Sequence, residues 1–120
     1  MQTDGLVLVA EDDGLIGFVA CQACADGLHI WELAVVRDRQ GQGIGRELMA
    51  ATIRLARRRG LPAVTLSTFR HIVWNAPFYA MLGFSEVKAA DLNPRLAAIT
   101  DREAALGLDV AARCAMRLIV

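Results

Sequence analysis

The sequence predicts an α/β (α+β) fold with one mixed central sheet: an antiparallel meander, then a parallel strand–helix–strand unit with flanking helices. Three observations predict it. Residues 5–36 are apolar runs broken by short turns rich in Asp and Gly. A glycine-rich loop and one amphipathic helix then separate two further β-rich runs, the pattern of a βαβ crossover. The chain has 120 residues, 55% of them hydrophobic, enough apolar material for a packed core and a length that suits one domain spanning 1–120.

Leu6–Ala10 is the first apolar run, and Glu11-Asp12-Asp13-Gly14 ends it with a turn. Leu15–Cys24 is the partner strand. Ala25-Asp26-Gly27 is the next turn, and Leu28–Val36 is a third strand. Arg37–Gly45 is a polar loop. Arg46–Arg59 is a helix, with Leu48, Met49, Thr52, Ile53, Leu55 and Ala56 on one face. Gly60 ends it and Pro62 follows, as expected of a helix C-terminus. Ala63–Thr68 is a short buried strand. Asn75–Leu82 is a short helix with Pro77 in its first turn, and Phe84–Lys88 is a strand. Asn93-Pro94 opens a helix that Gly107 closes, and Ala112–Val120 alternates as a last strand. No repeat, linker or low-complexity segment interrupts this order.

The formal net charge of zero conceals an asymmetry. Residues 1–36 carry Asp4, Glu11, Asp12, Asp13, Asp26 and Glu32 with no Lys or Arg. Residues 37–59 carry seven Arg against Asp38 and Glu47. A basic middle suits an anionic ligand, although Arg57-Arg58-Arg59 is explained by a helix C-terminus that attracts cations. No basic stripe interleaved with aromatics points to nucleic acid. The start lacks the basic stretch of a signal peptide, and Leu15–Ala25 is too short to span a bilayer, so the expectation is cytoplasmic with no membrane partner. Cys21, Cys24 and Cys114 are an odd count without a disulfide framework. Cys21-Gln22-Ala23-Cys24 has redox spacing but no redox helix after it. With only His29 and His71 as further ligands beside Cys114, no metal is expected.

The sharpest chemical signal is Gln40-Gly41-Gln42-Gly43-Ile44-Gly45. Alternate glycines permit positive φ and a close approach of backbone to ligand. The helix that follows offers unpaired N–H groups and a partial positive charge. No Ser, Thr, Asp or Asn caps it, and Arg46 sits in its first turn, where a cation opposes the dipole unless an anion is bound. The dinucleotide fingerprint would need glycine at 46, and the P-loop needs a lysine where none stands: the single lysine is Lys88.

The segment from Leu33 to Leu48 resembles the coenzyme A motif of the GNAT N-acetyltransferase superfamily, with Gln40, Gly43 and Gly45 matching position for position. A second family motif is matched by Asn75-Ala76-Pro77-Phe78-Tyr79-Ala80-Met81-Leu82-Gly83-Phe84. The resemblance covers about Leu6 to Lys88. It implies acetyl-CoA as co-substrate, its pyrophosphate held by N–H groups of Gln40, Gly41, Gln42, Gly43, Ile44, Gly45 and Arg46. It implies a splayed gap after the third strand, where the pantetheine arm pairs with backbone at Leu33, Ala34 and Val35, and a cofactor contact from Asn75. Tyr79 matches the family's general acid. His29 stands where several members carry a base, and Glu32 is its competitor. Simple alternation puts His29, Trp31 and Leu33 on one face and Glu32 on the other, but the family often bulges this strand.

By the same resemblance, the acceptor is a primary amine: a small molecule, or a protein N-terminus or lysine. Family members place a strand and two helices before the meander, which here starts almost at Met1. A short form, a homodimer that completes its own acceptor site, and a piece of a longer chain all fit. The competing reading is a module that binds acetyl-CoA or CoA without turnover, as sensor or assembly partner.

Overall fold

Outside the third strand, the alternating and amphipathic patterning is realised in the computed structural model, which describes residues 4–70, 75–109 and 111–120. The strands are β1 (Asp4–Glu11), β2 (Leu15–Cys24), β3 (Gly27–Val35), β4 (Ala63–Phe69), β5 (Ser85–Val87) and β6 (Arg113–Ile119). The helices are α1 (Ile44–Arg58), α2 (Ala76–Met81) and α3 (Pro94–Ala105). The six strands form one sheet in the order β1-β2-β3-β4-β6-β5. Two short 3-10 turns, Arg37–Arg39 and Ala89–Asp91, lie in segments whose sequence shows no periodicity. Chain contacts divide it into two compact units, Met1–Thr65 with Ile119–Val120, and Leu66–Leu118.

The first unit holds the meander and α1. β1 pairs antiparallel with β2, and β2 with β3. β3 and β4 are neighbours joined through α1, a crossover that requires them to run parallel. Gly17, Val19 and Cys21 of β2 are buried toward α1: a Cβ on Gly17 would lie 3.1 Å from Leu48 Cδ1 and 3.5 Å from Ile44 Cγ2. Leu28, Ile30, Leu48, Met49, Ala56 and Val64 complete this core. Gly27 of β3 stands close against Ala63 of β4. Its φ is +155°, and a Cβ there would stand 2.5 Å from the Ala63 carbonyl oxygen.

In the second unit β5 and β6 pair antiparallel, with Glu86 opposite Met116. Asn93 caps α3 through its side chain, which accepts from Leu96 N–H at 2.9 Å, and Pro94 occupies the first turn. The Glu103 carboxylate of α3 accepts from Arg113 Nε at 2.6 Å and from Ser67 Oγ at 3.0 Å. The Arg113 guanidinium lies 4.7 Å from the Phe69 ring centroid. This network fixes α3 to β4 and β6.

Candidate coenzyme A site

The glycine loop lies in the first unit. The chain leaves β3 at Val35, makes the 3-10 turn, and enters α1 through Gly43, whose φ of +84° is left-handed. Gly41 is also left-handed at +80°. Nothing lies within 4 Å of a Cβ at either position, so the backbone conformation and not crowding calls for glycine. No side chain caps α1. Its first backbone bond runs from Glu47 N–H to the Gly43 carbonyl at 3.0 Å. The N–H groups of Ile44, Gly45 and Arg46 therefore have no acceptor within the helix. Ile44 is buried and anchors the turn, whereas Gly41, Gln42, Gly43 and Arg46 are exposed. Gln40 donates from Nε2 to the Val35 carbonyl at 3.0 Å, and Gln42 from Nε2 to the Asp38 carbonyl at 3.3 Å. The first of these ties the loop to the end of β3, where Leu33, Ala34 and Val35 are half-buried, and the second closes the loop on its own 3-10 turn.

β3 departs from simple alternation, and the departure moves two expected site residues. Ala20 pairs with Glu32 and Cys21 with Ile30, so Trp31 is an extra residue opposite a two-residue step of β2. Residues directly paired across a ladder share a face. Ile30 and Leu33 therefore point toward α1 with Cys21 and Val19. His29 and Glu32, paired with Gln22 and Ala20, point away from it. The bulge corrects the parity expectation: His29 and Glu32 share a face, and Leu33 is on the other.

The surroundings of those two residues differ. His29 is 1% exposed; its Nδ1 hydrogen-bonds Thr65 Oγ1 at 2.8 Å, and its ring meets Trp31 edge-on with centroids 4.5 Å apart. Glu32 is exposed. Trp31 is 54% exposed, and its indole N–H donates to Gln22 Oε1 at 3.0 Å.

The second unit places Asn75 and Tyr79 together at α2. Tyr79 N–H donates to the Asn75 carbonyl at 3.0 Å, and Thr68 Oγ1 donates to Asn75 Oδ1 at 3.0 Å. Tyr79 is 8% exposed and packs edge-on against Phe78 and Phe84. Burial pushes its phenol pKa up, so it is a neutral proton donor at physiological pH. Among the described residues its hydroxyl has no hydrogen-bond partner.

Thr65, Thr68 and Gln22, which position His29, Asn75 and Trp31, carry no motif in the sequence. Thr65 is 36 positions from His29, and only the fold brings them together. His71 lies outside the described residues. Among the described residues no group of three or more His, Cys, Asp or Glu is placed to hold a metal ion. No helix among them is long and apolar enough to cross a membrane.

Comparison with known proteins gives this geometry a family. Residues 3–86 match the family described as the acetyltransferase (GNAT) domain. The chain is 29% identical over 77 residues to the ribosomal protein bS18-alanine N-acetyltransferase of Haemophilus ducreyi, covering 64% of this chain and 53% of that protein. It thus spans about half the length of that relative. The crystal structure of the ribosomal-protein-S18-alanine N-acetyltransferase of Escherichia coli superposes with a TM-score of 0.72 at 19% identity, covering all of this chain and 72% of that one. The PaiA N-acetyltransferase of Thermoplasma acidophilum, solved with coenzyme A, superposes with a TM-score of 0.70 at 20% identity, over 98% of this chain and 62% of that one. At these identities the structural likeness is one of fold. The match across residues 3–86 goes further, and the chain belongs to the GNAT acetyltransferase domain family.

Proposed function

We propose that the chain is an N-acetyltransferase that moves acetyl from acetyl-CoA directly to a primary amine. The observation that carries the reading is the start of α1: two left-handed glycines, no side-chain cap, and N–H groups without helical acceptors. These fit a diphosphate, which would also offset the misplaced charge of Arg46. When bound, acetyl-CoA supplies an activated thioester carbonyl. The backbone at Leu33, Ala34 and Val35 holds the donor's arm, and an N–H near Val35 polarises the carbonyl. Asn75, its oxygen engaged by Thr68, has amide hydrogens to offer the arm.

Attack requires a neutral amine. Glu32 takes the proton as the new N–C bond forms, and Tyr79 donates one to the sulfur as the C–S bond breaks. Exposure supports Glu32 over His29 as base, since a base must reach the amine it deprotonates, directly or through water. His29, buried on Thr65 and against Trp31, then fixes the bulge that presents Glu32. The exposed Trp31 face and the acidic first 36 residues support a cationic acceptor, whether a small amine, a lysine or a protein N-terminus.

The test is a thermal shift with acetyl-CoA followed by a panel of amines and peptide N-termini, monitored for free thiol. Stabilisation with thiol release from at least one cationic amine is expected. Stabilisation with no release from any acceptor would instead identify a binding module, and no stabilisation would refute both readings.

A further inference from the structure

Gly41 and Gly43 owe their identity to backbone conformation, but Gly17 of β2 does not, since its φ is not positive. Space alone calls for glycine there. A Cβ at Gly17 would lie 2.9 Å from the Ala34 carbonyl oxygen, 3.1 Å from Leu48 Cδ1 and 3.5 Å from Ile44 Cγ2. These neighbours differ in kind. The ends of the Leu48 and Ile44 side chains can turn aside, whereas a carbonyl oxygen moves only with its whole peptide.

The ladder between β2 and β3 shows what that peptide carries. Val36 N–H donates to the Ile16 carbonyl at 2.9 Å. Gly17 opposite Val35 and Phe18 opposite Ala34 are the next two pairs in register. Bonded and non-bonded pairs alternate along an antiparallel ladder. The Ala34 carbonyl beside Gly17 therefore accepts from Phe18 N–H, and Val35 turns its own N–H away from β2. The carbonyl of Ala34 and the N–H of Val35 are opposite ends of one planar peptide unit, so tilting one tilts the other.

We propose that Gly17 is a positioning residue for acetyl transfer: its missing Cβ leaves the Ala34 carbonyl in place and so fixes the aim of the Val35 N–H at the thioester carbonyl. The proposal rests on the acetyltransferase reading, in which an N–H near Val35 polarises that carbonyl. Aim matters because a hydrogen bond weakens steeply as its angle closes, and a polarising donor acts only when it is directed at the oxygen where charge develops. Ile44 and Leu48 lie in the first two turns of α1. The same open space therefore seats the helix whose first N–H groups suit the diphosphate. On the helix side the contact is compliant; on the strand side it is rigid, so an added methyl group acts chiefly on the Ala34–Val35 peptide.

The experiment is difference infrared spectroscopy of acetyl-CoA, labelled with carbon-13 at the thioester carbonyl and bound to the full chain. Calorimetry gives the Kd, and circular dichroism confirms folding. In the parent the bound carbonyl band should lie below that of free acetyl-CoA. Gly17→Ala should move it back toward the free position while the Kd stays within about threefold, because the diphosphate contacts remain. Leu48→Ala alone should leave the band in place. Gly17→Ala/Leu48→Ala should bring it back down, since β2 can then shift toward the helix and spare the carbonyl. A merely structural role predicts the reverse, the double variant being the more disturbed. If Gly17→Ala does not fold, Gly17→Ala/Leu48→Val and Gly17→Ala/Leu48→Ala are compared, and the band should lie lower in the one with more room. A shifted parent band that Gly17→Ala leaves unmoved would overturn the proposal and spare the reading of Val35. So would a double variant without recovery, or equal bands in the two double variants. A parent that binds acetyl-CoA with an unshifted band would overturn the role of the Val35 N–H and this proposal together, and a parent that does not bind it would overturn the acetyltransferase reading as well.

Discussion

Gly43→Ala tests the loop geometry most directly. Gly43 has φ +84°, and no atom lies within 4 Å of a Cβ built there, so the methyl group meets no neighbour. The cost is therefore that of placing an L-residue in the left-handed region, about 1–2 kcal/mol. Alanine's smaller unfolded-state entropy does not offset this where the native φ is incompatible. With an unfolding entropy of about 2.1 cal/mol/K per residue, a chain of 120 residues should lose about 4–8 °C in Tm. Urea denaturation gives the free energy and differential scanning calorimetry the Tm. Gly43→Asn should lose less, since asparagine tolerates this conformation. Gly5→Ala, with open space and an ordinary φ, is the control and should be near neutral. The stabilisation gained on adding acetyl-CoA should also shrink in Gly43→Ala, because relief of strain re-aims the N–H groups. A Gly43→Ala protein as stable as the parent, within about 0.3 kcal/mol, would refute the left-handed entry into α1 and the aim it gives those groups.

Tyr79→Phe should lower turnover by about 10²–10⁴-fold while acetyl-CoA still binds, measured by steady-state thiol release and calorimetry; equal loss of both would remove its acid role. Burial raises the pKa of Tyr79 and of the Cys21 and Cys114 thiols. In each case the folded state holds its proton more tightly than the unfolded state. The stability this contributes is full at neutral pH and is lost as pH rises past the ordinary thiol and phenol values through the raised ones. Urea midpoints should fall on that alkaline limb, and Tyr79→Phe should flatten its upper part. Glu103→Ala removes the acceptor shared by Arg113 and Ser67, both partly buried, and should cost about 1–3 kcal/mol. Glu103→Ala combined with Arg113→Met should recover part of that loss by urea titration, and failure to do so would remove the ion pair as its source.

Much of this architecture is legible in the chain because its signals are local. Leu15–Cys24 alternates between two turns, and the strand has those bounds. The α1 face repeats at helical spacing, and Asn93-Pro94 announces a cap that forms. Helix α1 begins at Ile44, two residues before the periodicity implies, since a left-handed glycine can act as N-cap without any side-chain signal. The site divides in the same way. Gln40–Gly45 carries its chemistry in sequence. The phase of His29 against Glu32 does not appear there, because it depends on one unpaired residue in a ladder with β2. Thr65 and Thr68 are likewise silent: a threonine in a strand has high β propensity whether or not its hydroxyl has a task.

The extra residue at Trp31 divides β3 into two reading frames. Upstream of it, odd-numbered residues share the face of Gln22; downstream, even-numbered ones share the face of Ala20. Deleting that residue would bring Ile30 and Glu32 into regular alternation, each still opposite its present partner and on its present face. A gapless alignment across position 31 to a relative with an unbulged strand would instead invert one of the two frames on paper, matching Glu32 to a side chain that points into the α1 core.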